Sequence, residues 1–108
     1  MNNLRNKVQL LGNVGQDPEI IIFDDGRKMA RFHLATNDHY TTHQGEKVEK
    51  TYWHRIIFWN KAADLIQQRV TTGSRLLIEG KLTTHSWEDE AGVRHYKTEI
   101  AGHGLHLL

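Results

Sequence analysis

The residues in this chain best suited to chemistry are its three tryptophans and the cations spaced between them. Alternate side chains of an extended strand leave on opposite faces. Over Thr51 to Trp59, the strongest strand-like segment, the odd positions are Trp53, Arg55, Ile57 and Trp59, and the even positions are Tyr52, His54, Ile56 and Phe58. The even set makes a reasonable core face, which sends two indoles and a guanidinium outward. From Leu76 to Trp87 the same pattern returns. With Leu76, Ile78, Gly80 and Leu82 turned inward, the outward set is Lys81, Thr83, His85 and Trp87. Exposed indoles beside cations form a stacking platform. Every nucleobase has a π face, so such a surface holds bases without reading their sequence, at roughly 1–3 kcal/mol per stacked base, while neighbouring cations take phosphates. The competing use is burial in a core or a subunit interface, where Trp and Arg are enriched.

The elements that must position these residues are mostly strands. Val8 and Leu10 share one face, with Lys7 and Gln9 opposite. A turn at Gly15-Gln16-Asp17-Pro18 precedes the β-branched run Ile20-Ile21-Ile22-Phe23, and Asp24-Asp25-Gly26 reads as a hairpin turn, since Gly accepts positive φ. Ala30, Phe32 and Leu34 alternate with Arg31, His33 and Ala35. His39 to Lys47 is polar, contains Gly45 and reads as a mobile loop or hairpin tip. Asn60 is placed to cap a helix of about ten residues carrying Ala62, Leu65, Ile66, Arg69 and Val70 at helical spacing and ending at Gly73. A last hairpin turns at Asp89-Glu90-Ala91-Gly92 and returns through Val93 to Ala101. Five or six strands with one helix between the third and fourth long ones fit an all-β fold: a five-stranded Greek-key barrel such as the OB-fold, or else a two-sheet sandwich.

Composition excludes more than it assigns. The chain has 108 residues, no cysteine and a formal net charge of +1. That length is one domain's worth, and the missing thiols exclude disulfides, thiolate zinc sites and a cysteine nucleophile. No apolar run approaches a membrane span and no signal-peptide core is present. The eight histidines form no set completing a metal site: His39 and His43, and His103 and His106, are close in sequence without carboxylate partners at suitable spacing. Asp24-Asp25 and Glu88-Asp89-Glu90 sit beside Gly turns and read as solvated turn residues. Gly12-Asn13-Val14-Gly15 lacks the Gly-Lys-Ser/Thr of a phosphate loop. No catalytic constellation and no cofactor site is expected; the protein reads as a non-enzyme.

Several blocks are similar to the bacterial single-stranded DNA-binding protein (SSB) family. They are Asn6-Lys7-Val8, Leu11-Gly12-Asn13-Val14-Gly15-Gln16-Asp17-Pro18-Glu19, Leu34-Ala35-Thr36, Thr51-Tyr52-Trp53-His54-Arg55-Ile56-Ile57, Gly73-Ser74 and Ile78-Glu79-Gly80-Lys81-Leu82. They run in the family's order from about residue 4 to residue 108. The resemblance implies one OB-fold domain over 1–108 that coats and protects single-stranded DNA in replication, recombination and repair. It also implies a homo-oligomer, usually a tetramer, in the bacterial cytoplasm at the nucleoid.

Carried over residue by residue, the family's stacking aromatics fall on Tyr40, Trp53, Trp59 and Trp87. The first of these is commonly Trp and the third commonly Phe. Its basic contacts fall on Lys7, Arg55 and Lys61, with Arg5 and Arg31 as further candidates beside the outward Lys81. His54 takes a subunit-contact role. Two positions often lysine in relatives are Thr72 and Ser86 here, which implies fewer phosphate contacts. Familiar members continue into a linker and an acidic tip that recruits replication and repair enzymes. This chain ends at Leu107-Leu108, so tail-mediated recruitment is not expected of it. A replication-restart accessory factor acting mainly through protein partners is the alternative function.

Overall fold

The computed structural model describes residues 3–108. A short 3-10 turn (Asn3–Asn6) leads into β1 (Val8–Val14), β2 (Glu19–Ile22), β3 (Lys28–Thr41) and β4 (Lys47–Trp59). Helix α1 (Lys61–Arg69), β5 (Arg75–Glu88) and β6 (Arg94–Leu107) complete the chain. The strands are ordered β1-β5-β6-β4-β3-β2, and an additional β1–β3 pairing at Asn13–Ala35 and Val14–Leu34 closes five of them into a barrel. Strand β2 lies outside the closed ring, hydrogen-bonded to β3 through the Asp24-Asp25-Gly26 turn, where Gly26 takes φ +89°. This is the OB-fold architecture. The helix follows the third long strand as the sequence implies, and it is preceded by four strands once β2 is counted.

The core is built from the inward parities. Ala30, Phe32 and Leu34 of β3, Ile56 and Phe58 of β4, Leu76 and Ile78 of β5 and Ile100 of β6 are buried together with Ala63 and Ile66 of α1. Phe32 and Phe58 stack with centroids 6.4 Å apart. Burying α1 on this end of the barrel leaves its Lys61, Gln67, Gln68 and Arg69 exposed.

Five local expectations are corrected. The polar stretch from His39 to Lys47 is a loop only over residues 42–46. Around it the β3–β4 ladder continues without interruption to Thr41–Lys47. Both faces of this arm are in water, so the hydrophobic alternation that marks a strand is absent. Asn60 is not a side-chain cap. It takes φ 56°, and its Oδ1 accepts from the Lys28 amide at 3.3 Å. The helix stops when Val70 turns extended, and Gly73 (φ +88°) serves the turn into β5. Leu82, assigned inward, is half exposed, because β5 has by then run past the barrel; Tyr52 is exposed for the same reason on β4. Finally, β6 continues six residues beyond Ala101. It absorbs a register shift that pairs Glu79 with Gly104 and Gly80 with Gly102, leaving His103 unpaired.

Two glycines permit this packing. A Cβ on Gly102 would lie 2.2–2.5 Å from three Phe58 ring carbons, and one on Gly80 would lie 2.4 Å from the Ala101 carbonyl oxygen. Neither residue needs a glycine-only φ; the space alone requires it. Gly102→Ala is expected to destabilise the fold by about 1–3 kcal/mol through overpacking. Gly104→Ala places its Cβ at an ordinary 3.4 Å from Glu79 and should leave stability nearly unchanged. Thermal melting of the two variants side by side checks this.

Candidate nucleic-acid interface

Strands β4 and β6 pair at Ile56–Ile100 and Ile57–Ala101. Beyond these rungs the β3–β4 and β5–β6 hairpins diverge as two arms. Between them lies an open groove of about 550 Å³ lined by His33, Trp53, Arg55, Trp87, Tyr96, Lys97 and Thr98. Trp53 is 60 % exposed and Trp87 47 %, so both predicted outward indoles present a free face.

Each indole is held from behind. The six-membered ring of Trp53 lies on the backbone of Gly15, where a Cβ would come within 2.3 Å of Cζ3. The Gly15 amide is itself fixed by donating to His33 O at 3.0 Å. Trp87 stacks on His95 at 5.5 Å, and His95 Nε2 is 2.7 Å from Asp89 Oδ2. This contact, with the Val93 and Ala91 amides, holds the Asp89 carboxyl below its ordinary value. Arg55 projects between the indoles, opposite His33 in the β3–β4 register. Among the described residues Arg55 has no ion-pair partner.

A smaller groove of about 250 Å³, which shares His33, Arg55 and Lys97, runs on past Asp17, Glu19 and Arg31. Arg31 is committed there to a bidentate pair with Glu19, at 3.0 and 2.9 Å. The two positions without lysine are both occupied usefully. Thr72 donates its amide and its hydroxyl to Asp17 Oδ1, each at 2.8 Å, which ties the β1–β2 turn to the α1–β5 turn and lowers the Asp17 carboxyl. Ser86 accepts from Arg94 Nη1 at 3.1 Å, so an arginine from the neighbouring strand lies at that position.

The remaining candidates lie elsewhere. Arg5, Lys7 and Lys81 meet in a separate groove of about 510 Å³ beside His103, with Lys7 Nζ 3.6 Å from Glu79. Trp59 sits on the outward face of β4 some 20 Å beyond Trp53, at about 3.3 Å of rise per residue. One side of it is covered: Phe23 stacks at 5.8 Å, and the Arg27 guanidinium lies 5.4 Å from its ring centroid and 5.3 Å from that of Phe23. Lys61 is exposed at the start of α1, next to this cluster in the chain. Tyr40 is 51 % exposed but joins neither site. It pairs with Val48 on the opposite parity from Trp53 and lines a groove at the far end of the arm. His54 is half-buried, with Nε2 2.9 Å from Thr36 Oγ1, and burial pushes its imidazole below the ordinary histidine value.

Residues 5–108 match the Single-strand binding protein family. The chain belongs to that family. A single-stranded DNA-binding protein of Bacteroides thetaiotaomicron is 43 % identical over 105 residues, which are 95 % of this chain. The chain spans 65 % of that relative's length. A solved complex of the Plasmodium falciparum SSB with ssDNA is similar at a TM-score of 0.85 and 35 % identity, covering 95 % of this chain and 94 % of that one. A deletion variant of the single-stranded DNA binding protein from Thermus aquaticus shares the fold at a TM-score of 0.84 and 21 % identity, covering 95 % of this chain and 50 % of that one.

Within this family member, the structure adds His33, Tyr96 and Lys97 to the Trp53–Trp87 groove and Phe23 and Arg27 to Trp59. An aromatic beside a lysine at Tyr96-Lys97 was a visible signal in the last strand. Phe23 and Arg27 flank a hairpin turn and gave none, because only the turn's geometry brings them to Trp59. The seat under Trp53 is directly testable. Gly15→Ala is expected to lift the indole out of place, shifting the tryptophan emission spectrum while circular dichroism stays that of the barrel.

Proposed function

We propose that residues 1–108 act as one OB-fold unit that binds single-stranded DNA without sequence preference, coating and protecting it in replication, recombination and repair. The observation that carries this reading is the open groove lined by both Trp53 and Trp87, with Arg55 in it and without an ion-pair partner among the described residues. Bases stack on the indoles, and Arg55, with Lys97 beside it, takes the phosphates. Nothing in this chemistry depends on base identity, because no hydrogen-bonding edge has to be read. The Plasmodium falciparum relative, similar over nearly its whole length, was solved with ssDNA. Trp59 with Lys61, the Arg5–Lys7–Lys81 groove and Tyr40 serve as further contacts along the strand's path, and Arg31 stands beside it. No bond is made or broken in this function, and no cofactor enters it.

A homotetramer in the cytoplasm is the proposed working form. Along Val8–Gly12 the β1 edge facing away from β5 has no strand pairing among the described residues, and Leu11 on it is 45 % exposed. Such an edge is ordinarily covered in a soluble protein. Exposed Tyr52 and Leu82 on the inner parity of the arms add apolar surface, and His54 lies at the base of the same face as Tyr52.

Two measurements test these readings. Oligo-dT of about 30 nucleotides is expected to quench tryptophan fluorescence at low salt, and log K should fall with log salt at about −0.7 per phosphate contacted. Trp53→Ala should weaken the complex about tenfold or more without unfolding the protein. Unchanged fluorescence on adding oligo-dT refutes stacking. Light scattering is expected to give four times the 12.5 kDa chain mass; a monomer would refute the assembly.

A further inference from the structure

Glu99 is the buried charged residue of the described structure, only 5 % exposed. It lies on the outward parity of β6. The rungs Thr83–Glu99, His85–Lys97 and Trp87–His95 put it on the same face as Trp87. Its oxygens are divided between two basic side chains: Oε1 is 3.2 Å from His85 Nε2, and Oε2 is 3.7 Å from Lys97 Nζ. The side chains of those partners remain 62 % and 33 % exposed, and Lys97 lines both grooves that Arg55 lines. Arg55 and Glu99 each stand two residues before the paired Ile57 and Ala101, and so they share a face as well. A buried carboxylate has to be matched by positive charge or hydrogen bonds. Of the groups that match it, Lys97 lines the groove and His85 stands exposed on the same strand face, two residues before Trp87.

We propose that Glu99 is a resident counter-ion of this groove, one that holds Lys97 and His85 in the DNA-free protein and yields them to incoming phosphates. The inference rests on the reading that the groove takes single-stranded DNA, and it names what that reading leaves open: which cations reach the phosphodiester, and against what competition. The carboxylate has two effects. A cation already neutralised by Glu99 brings little net charge to a phosphate, so it displaces few of the counter-ions condensed on the DNA and adds little to the salt dependence. A phosphate drawn to Lys97 also approaches a fixed negative charge, which opposes it. Glu99 thereby sets the electrostatic share of binding low and leaves affinity to the indoles.

The test uses Glu99→Gln, which keeps the shape of the side chain and one acceptor oxygen while removing its charge. The variant is expected to bind oligo-dT about three- to tenfold more tightly at low salt, the size set by one charge a few ångströms from a phosphate. Its log–log salt slope should steepen by about 0.7 for each phosphate gained. The difference should fade near 1 M salt, where screening acts within about 3 Å. A folded variant that binds equally well with the same slope, or more weakly, overturns the proposal.

A second readout needs no variant. In isotope-labelled wild-type protein, the His85 imidazole and Lys97 ammonium resonances should both shift on adding oligo-dT. They should also shift on adding an abasic deoxyribose-phosphate oligomer, which has no base to stack. If they stay put while tryptophan quenching shows that oligo-dT is bound, the counter-ion role fails and DNA binding stands. If wild-type protein binds no oligo-dT, the functional reading fails, and this inference fails with it.

Discussion

Two rungs of parallel ladder, Ile56–Ile100 and Ile57–Ala101, join β4 to β6 and complete the barrel. Parallel pairing is slightly weaker per residue than antiparallel, and a contact this short survives only where side chains behind it pack well. Ile56 and Ile100 are both buried there, and Phe58 lies directly over Gly102. The shortness of the join has a functional consequence. Had the ladder continued toward Trp53, the two arms would have formed one continuous sheet, with no groove between them. Because it stops, Arg94–Glu99 of β6 leans on β5 alone, and the space beside it is open to a ligand.

The distribution of charge follows from the same geometry. Several cations on the surface are already paired: Lys28 with Asp64, Arg27 with Asp25, Arg31 with Glu19, Arg94 with Glu88 and Lys7 with Glu79. Exposed pairs of this kind contribute at most about 1 kcal/mol and are screened by salt. They fix loops and arms without creating a strong field, while the net charge of +1 reflects 14 basic against 13 acidic side chains over the whole chain. Arg55 differs from these paired cations in both partner and place. It is half-buried between two indoles and has no acidic partner among the described residues, so its charge is concentrated where bases would stack.

The sequence revealed whatever depends on period and missed whatever depends on contact between distant strands. Ile56, Phe58, Leu76 and Ile78 alternate with Trp53, Arg55, Lys81 and Trp87 because one face of each strand is dry, and that alternation yields the core and the outward indoles directly, whereas barrel and sandwich are told apart only by the β1–β3 closure. Past the barrel's rim both faces are wet. The arm from Asn37 to Thr51 therefore carries no pattern, and Leu82 and Tyr52, apolar by type, stand in solvent. Tyr40 illustrates the limit from the other side. Its place in the family motif is clear, yet the unbroken β3–β4 register turns it away from Trp53. Glu99 was unreadable for a different reason: a charged residue is assigned to the surface by type, and only the cross-strand arrival of His85 beside Lys97 lets it be buried.

Trp53 and Trp59 share a strand face but are supported in opposite ways, and this divides their work. Trp53 rests on the backbone of Gly15, a flat and rigid seat, which leaves the other face of the indole free. A base stacking there displaces only water. Trp59 already has an aromatic partner in Phe23 and a cation above both rings in Arg27, which Asp25 holds at 2.8 Å through Nε. A base reaching that site would meet a preformed stack of ring and guanidinium. On the proposed function, the groove between the arms would supply an open platform and the β2–β3 hairpin a partly filled one in which ring and cation are placed together. That pairing depends on Phe23 and Arg27 at either end of the Asp24-Asp25-Gly26 turn. It explains why a turn that looks purely structural in the sequence carries a wide aromatic at its first position and an arginine at its last.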